Sequence, residues 1–425
     1  MTKTKRRDIE VYAHWVGLSE PTFMGILYAT PSRGEEVFSF EYDENWLRSD
    51  QAHNLDPSLQ LYSGIQYAPQ NQNFSVFLDS SPDRWGRTLM DRREAQLARQ
   101  EGRINRNLLE SDYLLGVYDE HRIGGLRFRT SRGDDFLDNN KELASPPWTS
   151  LRELEQASWE LEKEDAVNNS NYSKWLQMLI TPGSSLGGAR PKASVIDEDK
   201  HLWIAKFPSS HDDIDIGVWE MVVNNLAQRA GIITAQATLR RFNGSHHTFL
   251  SKRFDRTGRG ERIHYASALT LLQRRDGHDA ALGASYLELA EFLIQNGSHA
   301  KKDLEQLWRR IIFFICISNT DDHLRNHSFI LQPDGWVLSP AYDINPVASG
   351  NGLKLNINET DNSQDIKLAL EVSEYFRLKT DQAGKIVSEV IRVVKQWRQE
   401  ASMLKVSTSQ QDRMARAFRI ADEFI

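Results

Sequence analysis

One stretch near three-quarters of the 425-residue chain constrains the fold more than any other. Residues 304–317 carry apolar side chains at helical spacing, and the polar run 319–326 follows them. Strand-forming residues then stand on both sides of the turn 332–335, which predicts a hairpin. This order predicts a buried helix, a polar loop and a hairpin that folds the chain back, so that Asp343 approaches Asn326.

The polar residues of this stretch stand in an order that suits phosphoryl transfer. Asp321 precedes Asn326 by five positions, and Asp343 follows one hairpin later. Protein kinases place a catalytic Asp, a metal-binding Asn and a metal-binding Asp in this order. Magnesium prefers oxygen ligands, so Asn326, Asp343 and the phosphates of ATP form a reasonable set. A solvated loop that caps a helix is the alternative, because this Asp–Asn spacing often arises by chance.

A glycine-rich segment, residues 181–192, leads into a predicted strand upstream. Glycines allow backbone N–H groups to approach phosphates closely. The segment is not a Walker A motif, because Gly188 is not followed by Lys-Ser or Lys-Thr, and it does not match G-x-G-x-x-G. Ser185 would lie at the tip of this loop. Taken alone, a glycine loop of this kind is more often a plain turn.

The next hairpin carries a lysine among apolar residues. Lys206 stands in the predicted strand 202–207, and such a lysine needs a buried anion or a route to solvent. Kinases place a lysine here, facing the ATP phosphates and a helix Glu. Glu220, on the predicted helix 217–230, is the nearest acid of that kind. An edge-strand lysine and a solvated helix acid are the alternatives for these two residues.

A second predicted hairpin closes on residues 249–256, just before the helical part of the chain. A segment that crosses between two lobes can offer its backbone N–H and C=O groups to an adenine ring. By itself the segment is also explained as a charged strand end. The glycine loop, strand lysine, crossover and Asp–Asn–Asp set nevertheless follow one another in the order of a nucleotide site, which independent chance placement does not readily produce.

The composition limits the class of protein. With 40% hydrophobic and 26% charged residues, the chain matches soluble globular proteins. A net charge of −7 argues against a protein that coats nucleic acid by bulk charge, but it leaves room for a local basic patch. The single cysteine, Cys316, excludes an internal disulfide and a cysteine metal site. No apolar signal core or run of about 20 apolar residues is present, which predicts a cytoplasmic protein without membrane contact.

Together these motifs resemble the HipA family, the serine/threonine-kinase toxins of bacterial type II toxin–antitoxin modules. The resemblance covers nearly the whole chain. The segments that carry it are residues 79–87, 122–128, 187–192, 204–208, 252–256, 319–326 and 340–344.

The resemblance and the strand and helix patterns imply an α+β, protein-kinase-like bilobal fold. A mixed α/β amino-terminal lobe would precede a mainly α-helical carboxy-terminal lobe. We expect residues 1–150 to form the family's amino-terminal α/β subdomain, residues 151–255 the nucleotide-binding part, and residues 256–425 the helical catalytic lobe.

The resemblance also implies roles for individual residues. Asp321 would be the catalytic base, whereas the adjacent Asp322 is not equivalent. Asn326 and Asp343 would bind Mg²⁺. The residues around ATP would be Gly187, Gly188, Ala189, Arg190, Pro191, Lys192, Lys206, Lys252, Arg253, Phe254, His323, Leu324, Arg325, Asn326, Tyr342 and Asp343, with residues 252–254 acting mainly through their backbone.

Ser185 matches the loop serine that family members autophosphorylate, although the sequence does not decide between Ser185 and Ser184. A phosphate there adds roughly two negative charges beside the ATP phosphates, which would switch the kinase off. The surroundings of Glu220 are not distinctive enough to carry over the helix Glu.

The implied cofactors are ATP and Mg²⁺. The implied partners are a HipB-like helix-turn-helix antitoxin, operator DNA reached through that antitoxin, and a protein substrate, an aminoacyl-tRNA synthetase in family members. Two other functions stay open at this point. One is a metal-dependent hydrolase that uses Asp321, Asp322, His323 and His327, and the other is a kinase-fold transcriptional co-repressor with little activity.

Overall fold

The computed structural model describes residues 6–69, 73–179 and 190–424. The strands there are β1 (Arg7–Ala13), β2 (Thr22–Ser32), β3 (Glu35–Tyr42), β4 (Ile65–Tyr67), β5 (Leu126–Arg129), β6 (Lys192–Ile196), β7 (Leu202–Lys206), β8 (Ala237–Arg240), β9 (Thr248–Lys252), β10 (Tyr265–Ser267), β11 (Ser328–Gln332) and β12 (Gly335–Leu338).

The α-helices of the same parts of the chain are α1 (Glu44–Leu47), α2 (Ser75–Asp79), α3 (Arg84–Gln100), α4 (Glu110–Leu115), α5 (Leu151–Leu161), α6 (Tyr172–Leu179), α7 (Ile216–Arg229), α8 (Ala268–Leu271), α9 (Tyr286–Asn296), α10 (Ala300–Ile317), α11 (Ile366–Glu371), α12 (Thr380–Val394), α13 (Trp397–Met403), α14 (Thr408–Met414) and α15 (Arg419–Glu423). Across the three described ranges, we find no helix with the length and apolarity needed to cross a membrane.

The chain divides into two compact units. The first unit comprises Met1–Ser210 and Lys252–Ala266, and the second comprises His211–Ser251 and Ser267–Ile425. Both units are therefore assembled from separate pieces of the chain. The division into three continuous domains, which we expect from the sequence, stays a prediction.

An antiparallel sheet in the order β4-β3-β2-β1-β5 organises the beginning of the first unit. Alternate residues of a strand point to the same side of a sheet, and on one side of this sheet those residues include aromatic side chains. Phe77 of α2 packs against Phe40 of β3 and Phe128 of β5, with ring centroids 5.5 and 6.0 Å apart. Strands β1 to β3 are followed directly by the short helix α1.

The β6–β7 hairpin also belongs to the first unit and follows the predicted strand–turn–strand pattern. In its register Lys192 lies opposite Lys206, and Val195 lies opposite Trp203. The turn is closed by Asp197, whose carboxylate accepts hydrogen bonds from the His201 amide and the Trp203 indole. The pairing places both lysines at the open end of the hairpin.

The second unit is built around α10, which packs on α9, α12 and α15. Every residue of α10 from Leu307 to Ile317 is buried, so the broad apolar face predicted for this helix is confirmed. The β11–β12 hairpin follows, with Phe329 opposite Leu338 and Gln332 opposite Gly335. The predicted α+β class and the hairpin beside the polar loop are therefore both confirmed.

Candidate functional site

The polar loop begins where α10 ends. Ser318 caps this helix in the left-handed conformation, with φ 50° and ψ 51°, and the Asn319 amide donates to the carbonyl of Phe314. This cap stops the helix at Ile317, which is the predicted end. The chain then forms a 3₁₀ turn over Leu324–Asn326 before β11. The loop is thus held between two regular elements of the second unit.

Within this loop, Asp321 and Asn326 are joined through the backbone. The Asn326 side-chain nitrogen donates to the carbonyl oxygen of Asp321 at 3.1 Å, and the His323 amide donates to the same carbonyl at 3.0 Å. Asp321 itself is exposed, whereas Asn326 is only 5% exposed. The five-residue spacing therefore produces a compact turn in which Asp321 remains accessible to solvent.

Asp322 has a different environment from its neighbour. Its Oδ2 atom accepts a hydrogen bond from the Tyr286 hydroxyl at 2.7 Å and lies 2.7 Å from His327 Nε2. All three side chains are buried, and the burial together with Asp322 raises the pKa of Tyr286 well above its ordinary value. The cluster Tyr286–Asp322–His327 ties the loop to α9 and to the start of β11. Asp322 is thus a structural anchor of the loop.

A second loop, after β12, returns to the first one. The Tyr342 hydroxyl donates to the carbonyl of Arg325 at 2.7 Å, and the Asn345 amide donates to Asn319 Oδ1 at 3.5 Å. Asp343 has φ 55°, a left-handed conformation that is uncommon for a residue with a side chain. Strained backbone of this kind persists where the surrounding structure enforces it, and it is frequent at functional sites.

A small pocket of the second unit brings Asp343 and Tyr342 together with Glu220 and Asn224 of α7. Glu220 is 3% exposed, so it is not the solvated helix acid considered above. The sequence pattern did not decide the role of Glu220. This acid stands between Val218, Trp219 and Val222 on the buried face of α7, but sequence spacing could not show which residues lie near it in space.

The second unit has oxygen atoms suited to a magnesium ion. Asn326 Oδ1 is buried and has no hydrogen-bond partner among the described residues. A buried acceptor without a partner costs free energy, so this oxygen is available to a ligand. Asp343 supplies a carboxylate in the adjoining loop, of which Oδ1 accepts from Asn345 at 3.1 Å. This donor set of one amide oxygen and one carboxylate fits Mg²⁺.

In the first unit, the lysines of the β6–β7 hairpin have distinct surroundings. Lys206 is half-buried at the end of β7. Lys192 begins β6, and its ammonium group pairs with Asp83 at 2.8 Å in a buried position. The Trp85 indole donates to the Lys192 carbonyl at 3.0 Å. The segment 79–87 therefore fixes the start of β6, a role that its sequence did not reveal.

In the predicted crossover, the backbone and the side chain of Arg253 make different contacts. The Arg253 amide donates to the Leu202 carbonyl at 2.9 Å, which aligns the segment with β7. The Arg253 guanidinium is buried against Asp255, at 2.6–2.8 Å, and also donates to the His121 carbonyl. This side chain is thus occupied within the first unit, in keeping with contacts to a nucleotide through the backbone. Lys252 and Phe254 are half-buried.

Among the other predicted ATP residues, Arg190 and Pro191 directly precede β6. Arg190 is half-buried, and Pro191 is buried. Gly187, Gly188 and Ala189, and the serines Ser184 and Ser185, lie outside the described residues. The structure thus places part of the predicted site in each unit. The roles assigned to these residues stay predictions.

The hydrolase alternative receives no support from the arrangement of the loop. Asp322 and His327 are buried and bonded to each other, so neither stands ready to ligate a metal ion with Asp321. Within the described ranges, His, Cys, Asp and Glu side chains come close enough for a three-ligand metal site at Asp197, Asp199 and His201, in the β6–β7 turn.

Two known proteins resemble this chain over different extents. HipA of Shewanella oneidensis MR-1, solved in a complex of the toxin–antitoxin system with HipB and operator DNA, has a TM-score of 0.63 and 18% identity, over 97% of this chain and 96% of that chain. A Haemophilus influenzae protein named "Putative kinase" is 27% identical over 179 residues. That match covers 38% of this chain and 52% of the relative, so it spans about half the length of that relative.

The likeness to Shewanella HipA extends over almost all of both chains and establishes the fold. The predicted α+β, kinase-like fold class is therefore confirmed. A family model, described as the HipA-like C-terminal domain, matches residues 184–397, which include β6, β7 and the two loops around Asp321 and Asp343. Because this match covers half of its residues, the chain belongs to the HipA-like family.

Proposed function

We propose that this protein is an ATP- and Mg²⁺-dependent serine/threonine-protein kinase and the toxin of a HipBA-like module. One observation carries the proposal. The loop after α10 keeps Asp321 exposed, while the Asn326 side chain of the same turn retains a buried oxygen without a partner among the described residues. A substrate-facing carboxylate beside a metal-facing amide is what kinase chemistry requires.

The residues divide the task as follows. ATP would supply the phosphoryl group, and Mg²⁺ would neutralise the charge that develops on it. Asn326 and Asp343 would hold the metal ion through oxygen atoms. Asp321 orients the hydroxyl of the protein substrate and accepts its proton at a carboxylate oxygen. Because phosphoryl transfer depends mainly on position and charge, the rigid attachment of both loops is the main contribution of the fold.

Further contacts to the nucleotide belong to the same proposal. We infer that Lys206 pairs with the phosphates and that the backbone of residues 252–254 contacts the adenine. Gly187 to Lys192 would cover the phosphates, and Glu220 would support the site from α7. The buried position of Glu220 beside Asp343 supports this last assignment.

The proposal extends to regulation and partners. Autophosphorylation of Ser185 would inactivate the kinase by adding roughly two negative charges to the phosphate-binding loop. Shewanella HipA was solved with HipB and operator DNA. By analogy, we propose a HipB-like helix-turn-helix antitoxin, and operator DNA through it, as partners of this chain. The protein substrate would be an aminoacyl-tRNA synthetase, whose phosphorylation stops translation.

The test is incubation of the purified protein with γ-labelled ATP and a cell extract, with Mg²⁺ or with excess EDTA. We expect label on protein serine or threonine that depends on Mg²⁺. Mass spectrometry of the same sample should place phosphate of the chain itself on Ser185 or Ser184. Labelled free phosphate without phosphoprotein would instead favour the hydrolase, and no turnover together with antitoxin and operator binding would favour the co-repressor.

A further inference from the structure

The second unit contains a polar pocket that the proposed phosphoryl transfer does not use. It lies between the start of the loop after α10, the chain that follows Asp343 and the carboxy-terminal helical segment. The polar residues that line it are Ser318, Asn351, Gln364, Arg416 and Arg419. Among the residues that the structure describes, no carboxylate lines this pocket.

Two arginines form one side of the pocket. Arg416 and Arg419 are three residues apart where a 3₁₀ turn, Ala415–Phe418, passes into α15, so their side chains lie on neighbouring positions of one helical face. The Arg416 side chain is exposed and makes no hydrogen bond or ion pair to any residue within the described ranges. Arg419 pairs with Glu423 at 3.1 Å, with both side chains more than half exposed. Exposed pairs of this kind are weak, so Arg419 can exchange its partner.

A third donor completes the set. The Gln364 side-chain nitrogen is buried and lacks a hydrogen-bond acceptor among the residues that the structure describes. A buried donor without an acceptor costs free energy, which a bound anion would recover. Two guanidinium groups and one amide nitrogen provide donors from different directions around a single space.

We propose that this pocket binds a phosphate group with two negative charges, either as free phosphate or as a phosphate monoester. Arginine is suited to this ligand because its planar guanidinium can donate two parallel hydrogen bonds to phosphate oxygens. A carboxylate ligand would use fewer of the donors present. This inference does not depend on the proposed kinase activity.

The position of the pocket connects its occupant with the loop of Asp321. Ser318, which lines the pocket, caps α10 three residues before Asp321. Gly350, also in the lining, packs so closely that a Cβ atom there would lie 2.1 Å from Thr320 Oγ1. A ligand that contacts Ser318 and the chain around Gly350 therefore holds two segments that meet at the base of this loop.

The experiment is a titration followed by ³¹P NMR, with inorganic phosphate and O-phosphoserine at constant ionic strength. The protein is the full chain without nucleotide, as wild type and as four single variants. Arg416→Ala and Arg419→Ala each remove one charged donor and should weaken binding about tenfold. Glu423→Gln removes the competing carboxylate of Arg419 and should strengthen binding about twofold to threefold. Arg392→Ala, an exposed arginine of α12, is the matched control and should leave affinity unchanged.

Binding of both ligands would identify a phosphorylated side chain as an acceptable ligand, and binding of inorganic phosphate alone would restrict the pocket to free phosphate. The proposal is overturned if wild type binds neither ligand, or if the Arg416 and Arg419 variants bind as tightly as the Arg392 variant. Because Glu423→Gln keeps every arginine, its gain in affinity is a readout that partial unfolding cannot imitate.

Discussion

At the scale of single residues, burial distinguishes two acids that the sequence places side by side. Asp321 is exposed, and Asp322 is held by Tyr286 and His327. The spacing to Asn326 favours Asp321 as the base, and its exposure agrees with that prediction. The partners of Asp322 could not be predicted, because Tyr286 lies 36 residues earlier and no local pattern links them.

The Tyr286 hydroxyl offers a specific test of this anchor. We expect Tyr286→Phe to lower the free energy of unfolding by about 1–3 kcal/mol, because it leaves a buried carboxylate oxygen with one fewer donor. Kinase activity should fall as well, since the loop that carries Asp321 loses one support. Urea unfolding and label transfer measure the two effects. The control is Tyr375→Phe, at an exposed tyrosine, and equal stabilities of the two variants would contradict the anchor.

At the scale of elements, α10 and the β11–β12 hairpin fix the loop from both ends. The Leu338 amide donates to Asp303 Oδ2 at 3.0 Å, and burial raises the pKa of this carboxyl. The apolar spacing of α10 and the Pro-Asp-Gly turn made both elements predictable from sequence. Their mutual attachment depends on contacts between distant positions, which local patterns do not contain.

Glycine positions test these elements. Gly335 has φ +133°, and a Cβ atom there would lie 2.7 Å from the Asn296 carbonyl oxygen. Gly335→Ala should therefore destabilise the protein by about 1–3 kcal/mol. Gly384, inside α12 with no neighbour close to its Cβ position, is the matched site, and Gly384→Ala should stabilise by about 0.5–1 kcal/mol. Thermal unfolding measures both, and a stable Gly335→Ala variant would contradict the described hairpin contact.

At the scale of the whole molecule, the chain builds its units from separate segments. Residues 252–266 join the first unit because Arg253, Arg256 and Arg262 are buried there with Asp119 and Asp255. The arginines hold the pKa of Asp255 below its usual range, although its burial acts in the opposite direction. The charged residues of this segment are visible in the sequence, but their partners are not. The His121 carbonyl, which Arg253 contacts, and the Gly124 amide, which Asp255 contacts, lie more than 130 residues earlier in the chain.

His121, which is buried near these arginines, makes the stability of the first unit depend on pH. Burial, and then the neighbouring arginines, lower the pKa of His121 to about 3, and its Nδ1 accepts from the Ser145 amide at 2.8 Å. The unfolded chain, with a histidine pKa of about 6.5, binds the extra proton first, so stability falls as the pH drops from about 6.5 towards 3. At pH 5 the loss is on the order of 2 kcal/mol.

Urea unfolding at pH 7 and pH 5 measures this effect. His121→Gln keeps an acceptor without a titrating group, and it should reduce the difference between the two pH values. His299→Gln, at an exposed histidine of the second unit, should leave the difference unchanged. A difference that is equal in wild type and in His121→Gln would show that His121 is not responsible.

The central claim is that Asp321 is the base of a phosphoryl-transfer site. The most direct measurement compares Asp321→Asn with Asp334→Asn, an exposed acid in the β11–β12 turn, for nucleotide binding and for transfer of the γ-phosphate. We predict that both variants bind Mg²⁺–ATP like wild type, that Asp334→Asn retains transfer, and that Asp321→Asn loses it by at least about 100-fold. Full phosphoryl transfer by Asp321→Asn would contradict the account.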